Sequence, residues 1–347
     1  MNLENPLDLA EGAGVDAGKE AQARTEALWP RVATSIGLPE ADVTFRRLQV
    51  NSRRQGRRCV VEVRLPDGDR FVLRADFDAE RLPRFANVLA RHRSAVQGLR
   101  PLSGVSAPAI LWEDPQNSYY LMAFAPGDTA FRTLAASDYG FGARGAVLRQ
   151  IGQAVAALHR VSEVGERQFR PKSFLTRISA RAQAVRGGQL AVPKPNRFLG
   201  LCAFLHRAAR RARQQSFIGA VEHGDLHLRN MLMTDSMVSF IDFSNHKETY
   251  PQRDLASIWL ANCPDHLAKD GREPGYGLVA KEDWAAFQDG YGANLVDDPV
   301  FRFFFALRLF TSWSLLAQKP QPLDVKTLRR ADAFVAVFDA LLAEETD

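Results

Sequence analysis

The apolar residues of this 347-residue chain change period once, at Pro126. Before it they sit in short alternating runs rich in β-branched and large side chains. After it they recur at intervals of three and four, the spacing of helices that bury one face. Strands gathered first and helices afterwards predict an α+β chain of two lobes, a small antiparallel-sheet N-lobe and a larger helical C-lobe. In the first lobe, Thr44–Val50, Arg58–Leu65 and Arg70–Asp76 read as strands, the last two joined through the turn composition Pro66-Asp67-Gly68-Asp69. A helix over Arg81–Gly98 and strands over Ala109–Trp112 and Tyr119–Phe124 complete it. Helices are expected at Ala146–Arg160, Phe198–Gln215, Leu255–Ala261, Lys281–Tyr291, Phe301–Ala317 and Leu328–Ala343, with short strands near Met231–Met233 and Val238–Ile241. The expected division is a flexible tail over 1–25, a sheet lobe over 26–124 that opens with a short helix at Glu26–Ile36, and a helical lobe over 125–347.

Composition narrows the function. With 46% hydrophobic and 24% charged residues, the chain has apolar surface for a large core, which excludes disorder of the whole. Three widely separated cysteines, Cys59, Cys202 and Cys263, offer neither a disulfide framework nor a paired metal site, and point to reduced thiols in the cytoplasm. The first residues are polar and acidic, unlike a secretory leader. Val300–Ala317 is apolar but interrupted by Arg302 and Arg308, so a buried helix is expected there and no membrane contact. Charge is segregated: Arg167 to Val221 holds twelve Lys/Arg and no Asp/Glu, whereas Glu222 to Pro299 holds fourteen Asp/Glu against six Lys/Arg. Residues 167–221 therefore form a basic segment, but no aromatic–basic interleaving or nucleic-acid motif accompanies it, and a nucleic-acid partner is not expected.

The run Val221-Glu222-His223-Gly224-Asp225-Leu226-His227-Leu228-Arg229-Asn230 has the form H-x-D-x-x-x-x-N, and an apolar-Asp pair, Ile241-Asp242, follows a short hairpin. Phosphoryl transfer needs positioning and charge neutralisation more than covalent help. It requires a carboxylate to receive the attacking hydroxyl, which suits Asp225, and oxygen donors to hold Mg2+ against nucleotide phosphates, which suit Asn230 and Asp242.

These residues, with Arg253-Asp254-Leu255-Ala256 downstream, resemble the catalytic core of the aminoglycoside phosphotransferase and choline kinase superfamily. Leu158-His159 at a helix end and Phe124-Ala125-Pro126-Gly127 are similar to that family's helix ending and inter-lobe hinge. The resemblance covers roughly residues 44–320, its motifs concentrated between 121 and 260. It implies a bilobal protein-kinase-like fold that uses ATP and Mg2+ to phosphorylate a hydroxyl of a small molecule. Carried over residue by residue, Asp225 is the catalytic base, Asn230 and Asp242 hold metal, His223 supports the loop, and Asp254 starts a helix beneath it in a structural role. Met122 and Phe124 lie at the nucleotide-binding hinge. Arg74 stands where most kinases keep a phosphate-binding Lys, although relatives of the choline-kinase kind carry Arg there. Its acidic partner is restricted to Glu80, since Arg81 to Trp112 contains no Asp or Glu. The loop Asn51–Arg58, with Ser52, one glycine and four arginines, reads either as a phosphate grip or as a solvated hairpin tip.

Other patterns compete less well. Gly140-Phe141-Gly142-Ala143-Arg144-Gly145 matches G-x-G-x-x-G, but Leu134–Asp138 before it reads as a turn, whereas a dinucleotide site requires a strand. His223-Gly224-Asp225-Leu226-His227, with Asp242 and His246, suggests a metal-dependent hydrolase, yet that leaves Asn230 unexplained. Arg207, Arg210, Arg211 and Arg213 read as a solvated helix face or an anion site, and Trp259, Trp284, Tyr291 and Trp313 as core or pocket lining. Only eleven residues separate Asp242 from Asp254, and no A-P-E follows. A protein acceptor is thereby disfavoured against a small one. A kinase-like module without transfer activity is the alternative reading.

Overall fold

The structure, a computed structural model, describes residues 18–50, 58–78, 82–244, 249–269, 271–320 and 322–346. It divides into two compact units, one built from residues up to Gln97 together with Ser106–Pro126, the other from Gly98–Val105 together with Gly127 onward.

The first unit is an antiparallel sheet of β1 (Thr44–Val50), β2 (Arg58–Arg64), β3 (Arg70–Asp76), β5 (Ile110–Glu113) and β6 (Ser118–Ala123), in the order β1-β2-β3-β6-β5. The turn between β2 and β3 closes through Leu65 N–H to the Asp69 carbonyl and Asp69 N–H to the Asp67 carboxylate. Period-two alternation gives the sheet two apolar faces. Val61, Val63, Leu73 and Leu121 pack under Trp29, Val32 and Ala33 of α2 (Trp29–Ile36). Val60, Val72, Tyr120 and Met122 meet Leu89 and Phe85 of α3 (Leu82–Leu99).

The tail expected over residues 1–25 does not hold for 18–25. Residues 18–26 form a helix, α1, with Ala21 and Thr25 buried and Arg24 stacked 4.0 Å over the Phe77 ring. The apolar stripe of α1 consists of small residues four apart, which hydrophobic periodicity does not register. Consequently the single helix expected over 26–36 is instead two, broken at residues 27–28.

The second unit is helical. Its small sheet, in the order β4-β11-β10-β7, uses β4 (Val105–Ser106), β7 (Asp128–Thr129), β10 (Met231–Met233) and β11 (Val238–Phe240). A separate pair, β8 (Glu163–Gln168) with β9 (Ser216–Ala220), precedes the H-x-D loop. The helices are α4 (Ala130–Ser137), α5 (Arg144–Val161), α6 (Lys172–Arg186), α7 (Pro195–Ala212), α8 (Pro251–Leu260), α9 (Lys281–Tyr291), α10 (Pro299–Ser314) and α11 (Val325–Thr346). α5 and α9 touch through glycines: a Cβ on Gly152 would collide with the Phe287 carbonyl, and one on Gly290 with the Arg149 carbonyl. With Gln318 as its end, the segment containing α10 is long and apolar enough to cross a membrane, but its face of Phe301, Phe303, Phe304, Phe305 and Leu309 is buried. It is the core helix of this unit.

α4, α6 and β8 were not expected. The segment before Gly140 is the end of a helix rather than a turn, and Arg144 of the G-x-G-x-x-G run is engaged by Asp138 and Asp283. Trp259, Trp284 and Trp313 are buried, and Tyr291 hydrogen-bonds a histidine, so these aromatics belong to the core.

Candidate active site

The H-x-D-x-x-x-x-N run leaves β9 at Ala220, crosses an irregular loop and enters β10 through a single 3-10 turn, Leu228–Asn230. Leu226 and Leu228 are fully buried and pin the loop from below. Above them the polar groups form one hydrogen-bonded network. The side-chain amide of Asn230 donates to the Asp225 carbonyl at 2.9 Å. The Asn230 carbonyl accepts from Ile241 N–H at 3.0 Å, and the His223 carbonyl accepts from Ser244 N–H at 3.0 Å. His223 Nε2 lies 2.9 Å from the Ile241 carbonyl, which only accepts, so Nε2 carries the proton and Nδ1 is left to accept from Asp225 N–H at 3.4 Å. The imidazole also stacks on Phe243, centroids 4.4 Å apart. Asp242 is thereby clamped between residues tied to both ends of the loop. It adopts φ 60°, a left-handed conformation that Asp tolerates better than most residues and that recurs at functional sites.

Asp254 holds the loop from the other side. It lies in the first turn of α8, buried, and accepts from His223 N–H at 2.6 Å and Gly224 N–H at 3.0 Å, with His159 Nε2 at 3.4 Å. His159 in turn meets the Tyr291 hydroxyl at 3.0 Å. Burial alone would raise the Asp254 pKa, but His159, His223 and the backbone N–H outweigh it and hold the carboxylate below its ordinary value.

The Asp225 side chain remains about half exposed, with Oδ2 3.8 Å from His227 Nε2. Its pKa is raised, first by burial of the surrounding site and then by the Asp242 carboxylate, against the opposing pull of His227 and Arg308. The pKa of His227 is lowered because burial outweighs Asp225. Asp225, Asp242 and Asp254 therefore share one electrostatic neighbourhood, together with Asn230 and His223.

In the first unit, Arg74 sits on the Val60–Tyr120 row of the sheet, its guanidinium 3.2 Å from the Tyr120 hydroxyl. Met122 lies on the same sheet face, opposite Val72. Phe124 packs at the edge of that cluster, with Arg70 stacked 3.5 Å over its ring. Arg70 is held there by the buried Glu62, which also binds Arg46 and Arg64. Ser52 and Glu80, like His246, lie outside the described residues. Among the described residues no three His, Cys, Asp or Glu side chains assemble as a metal-holding group.

The model of the phosphotransferase enzyme family matches residues 48–289. The chain belongs to this family. No curated protein gives a match. Among solved structures, a choline/ethanolamine kinase family protein from Mesorhizobium loti is similar over 93% of this chain and 95% of that one, with TM-score 0.60 and 15% identity. An amicoumacin kinase in complex with AMP-PNP and Ca2+ covers 92% and 96%, with TM-score 0.60 and 14% identity. A macrolide 2'-phosphotransferase from Brachybacterium faecium covers 91% and 97%, with TM-score 0.54 and 16% identity. These likenesses show the fold, the bilobal α+β fold that the sequence predicts.

In this phosphotransferase a cavity of about 280 Å3 opens beside the loop, with Gly224 and Asp254 on one wall. Four arginines line it: Arg177 and Arg181 from α6, Arg253 from α8 and Arg308 from α10. Sequence reasoning left Arg308, Glu222 and the His159–Tyr291 pair without roles in the site. The Leu158-His159 helix ending points at His159, but nothing in the sequence pairs it with Asp254.

Proposed function

We propose that this phosphotransferase moves the γ-phosphoryl group of ATP to a hydroxyl of a small molecule, with Asp225 as the base and Asn230 and Asp242 as metal holders. The observation that carries the reading is the network joining Asp225, Asn230 and Ile241-Asp242 through four hydrogen bonds of a loop and hairpin. This fold-back supports a role for the half-exposed Asp225 carboxylate together with the Asn230 amide and the Asp242 carboxylate.

The donors suit Mg2+, a hard cation that takes oxygen ligands. Asn230 spends its amide nitrogen on the Asp225 carbonyl, which leaves Oδ1 as the atom for a cation, and Asp242 supplies a carboxylate whose charge already acts on Asp225. When bound, the ion neutralises charge on the nucleotide phosphates. Asp225 orients the acceptor hydroxyl and receives its proton as the oxygen attacks. Its raised pKa moves it toward the operating range of a general base, while half exposure leaves it accessible to an acceptor. His223 and Asp254 are positioning residues: they fix the peptide on either side of Gly224, whose φ of 85° lets the chain turn toward the base. In the first unit Arg74 is the phosphate ligand of the nucleotide, and Met122 and Phe124 contact its base. The enzyme works in the cytoplasm.

The test is Mg2+-dependent phosphoryl transfer from ATP to a panel of hydroxyl compounds by wild type and Asp225→Asn. Removing the base should lower turnover by about 10²–10⁴-fold while nucleotide still binds. Undiminished transfer by that variant would refute the assignment.

A further inference from the structure

The sequence leaves the charge of the acceptor open, because a basic and an acidic segment flank the catalytic loop. The cavity beside Gly224 decides between them. Its wall carries four arginines against two carboxylates, Glu222 and Asp254. Both carboxylates are engaged elsewhere. Asp254 accepts from the His223 and Gly224 N–H groups and meets His159, and Glu222 accepts from Tyr250 N–H and from Arg253. Arg253 is thus matched. Arg177, Arg181 and Arg308 form no close ion pair among the described residues, although Asp225 and Asp254 act on Arg308 at longer range.

Arg308 is the informative one. It rises from the core helix α10, half-buried, and its buried Nε makes no hydrogen bond among the described residues. A buried donor without a partner costs stability, and the same side chain lines the cavity, where an anion would offset its charge. Arg308 shares the cavity wall with Gly224, the residue before Asp225, and its charge acts on that carboxylate. Arg177 and Arg181 are one helical turn apart on α6, exposed beside the face that buries Phe174 and Ile178, and add two further guanidinium groups to the cavity lining. Planar forks of this kind suit carboxylate and phosphate oxygens. An ammonium acceptor would instead enter a wall with a surplus of like charge.

We propose that the acceptor is an anionic hydroxyl compound, a hydroxy acid or a phosphate ester, whose carboxylate or phosphate is held by Arg308 with Arg177 and Arg181 while its hydroxyl faces Asp225. This rests on the phosphotransferase reading and adds the charge of the substrate to it.

The experiment separates the two. Mg2+-dependent binding of AMP-PNP is measured first on the wild type, and its absence overturns the kinase reading whatever the cavity holds. Calorimetry then compares glycerate and glycerol 3-phosphate with choline and ethanolamine, in the presence of AMP-PNP and Mg2+ and at low salt. At least one of the two anions should bind, which of them telling carboxylate from phosphate, and neither amine should. Arg308→Gln should weaken that binding by about tenfold or more, the scale of one charge-assisted contact. Because Arg308 is half-buried and its loss can perturb folding, Arg177→Gln/Arg181→Gln on the exposed side of α6 gives the same test, with the same expected direction. Absence of anion binding up to about 10 mM, binding of the amines as tight as that of the anions, or affinity for the anion unchanged in both variants overturns the proposal.

Discussion

Asp254 offers a quantitative check on how the catalytic loop is held. Asp254→Ala removes the acceptor for two buried backbone N–H groups, those of His223 and Gly224, and the partner of His159. Each hydrogen bond to a charged group contributes about 1.5–3 kcal/mol, and an N–H left without a partner carries its desolvation cost in addition. Allowing for partial relaxation, the loss should be about 3–5 kcal/mol, the range for breaking a buried charged network. Asp254→Asn keeps one acceptor oxygen and turns an NH2 toward the other donor, so its loss should be intermediate, about 2–3 kcal/mol. Urea unfolding followed by the fluorescence of the five tryptophans reads both values. The folded-state pKa of Asp254 is depressed, so its contribution is complete above the ordinary carboxyl value of 3.8 and is lost as pH falls below it. The gap between wild type and Asp254→Ala should therefore close in acid. A variant within about 1 kcal/mol of wild type at neutral pH would show that the loop is held by something other than this carboxylate.

Two further perturbations probe the frame. His266 is buried against Phe131, and burial pushes its pKa down from 6.5 to about 4. The unfolded chain binds that proton below pH 6.5 while the folded one does not, so stability should fall between pH 6.5 and 4 by up to about 3 kcal/mol. His266→Gln should flatten that slope in thermal unfolding measured across the range. Gly152→Ala should destabilise by about 2 kcal/mol or more in urea unfolding, since its methyl meets the Phe287 carbonyl and the Tyr291 N–H where α5 crosses α9.

What the sequence reveals depends on how local the signal is. The strands β1 and β3 were legible to the residue, because both are rich in large apolar side chains interspersed with arginine, and the turn before β3 carries Pro, Asp and Gly. β8 was not, because Glu163–Gln168 is mostly polar and exposed and forms a strand only by backbone pairing with β9. α6 shows only Phe174, Ile178 and Ala182 as buried residues amid arginines, which reads as a solvated basic run. α1 escaped for the related reason that its buried stripe is made of Ala and Thr.

The site divides along the same line. Asp225, Asn230 and Asp242 were legible because a loop and one hairpin bring them together, and spacing encodes that. The contact between His159 and Asp254 spans 95 residues, and Arg308 comes from a helix that composition marks only as core. Segregation of charge along the chain gave no answer about the acceptor. Charge in the cavity is set by which carboxylates are already spent on backbone N–H groups, and only the packed structure shows that.

In the proposed mechanism Asn230 and Asp242 hold the metal beside Asp225. Mn2+ in place of Mg2+ gives a direct reading by electron paramagnetic resonance, titrated into protein with AMP-PNP. Asp242→Asn should weaken Mn2+ binding in the nucleotide complex by at least about tenfold, since even the outer partners of metal ligands cost that much. Mn2+ affinity equal to wild type in that variant would contradict the account.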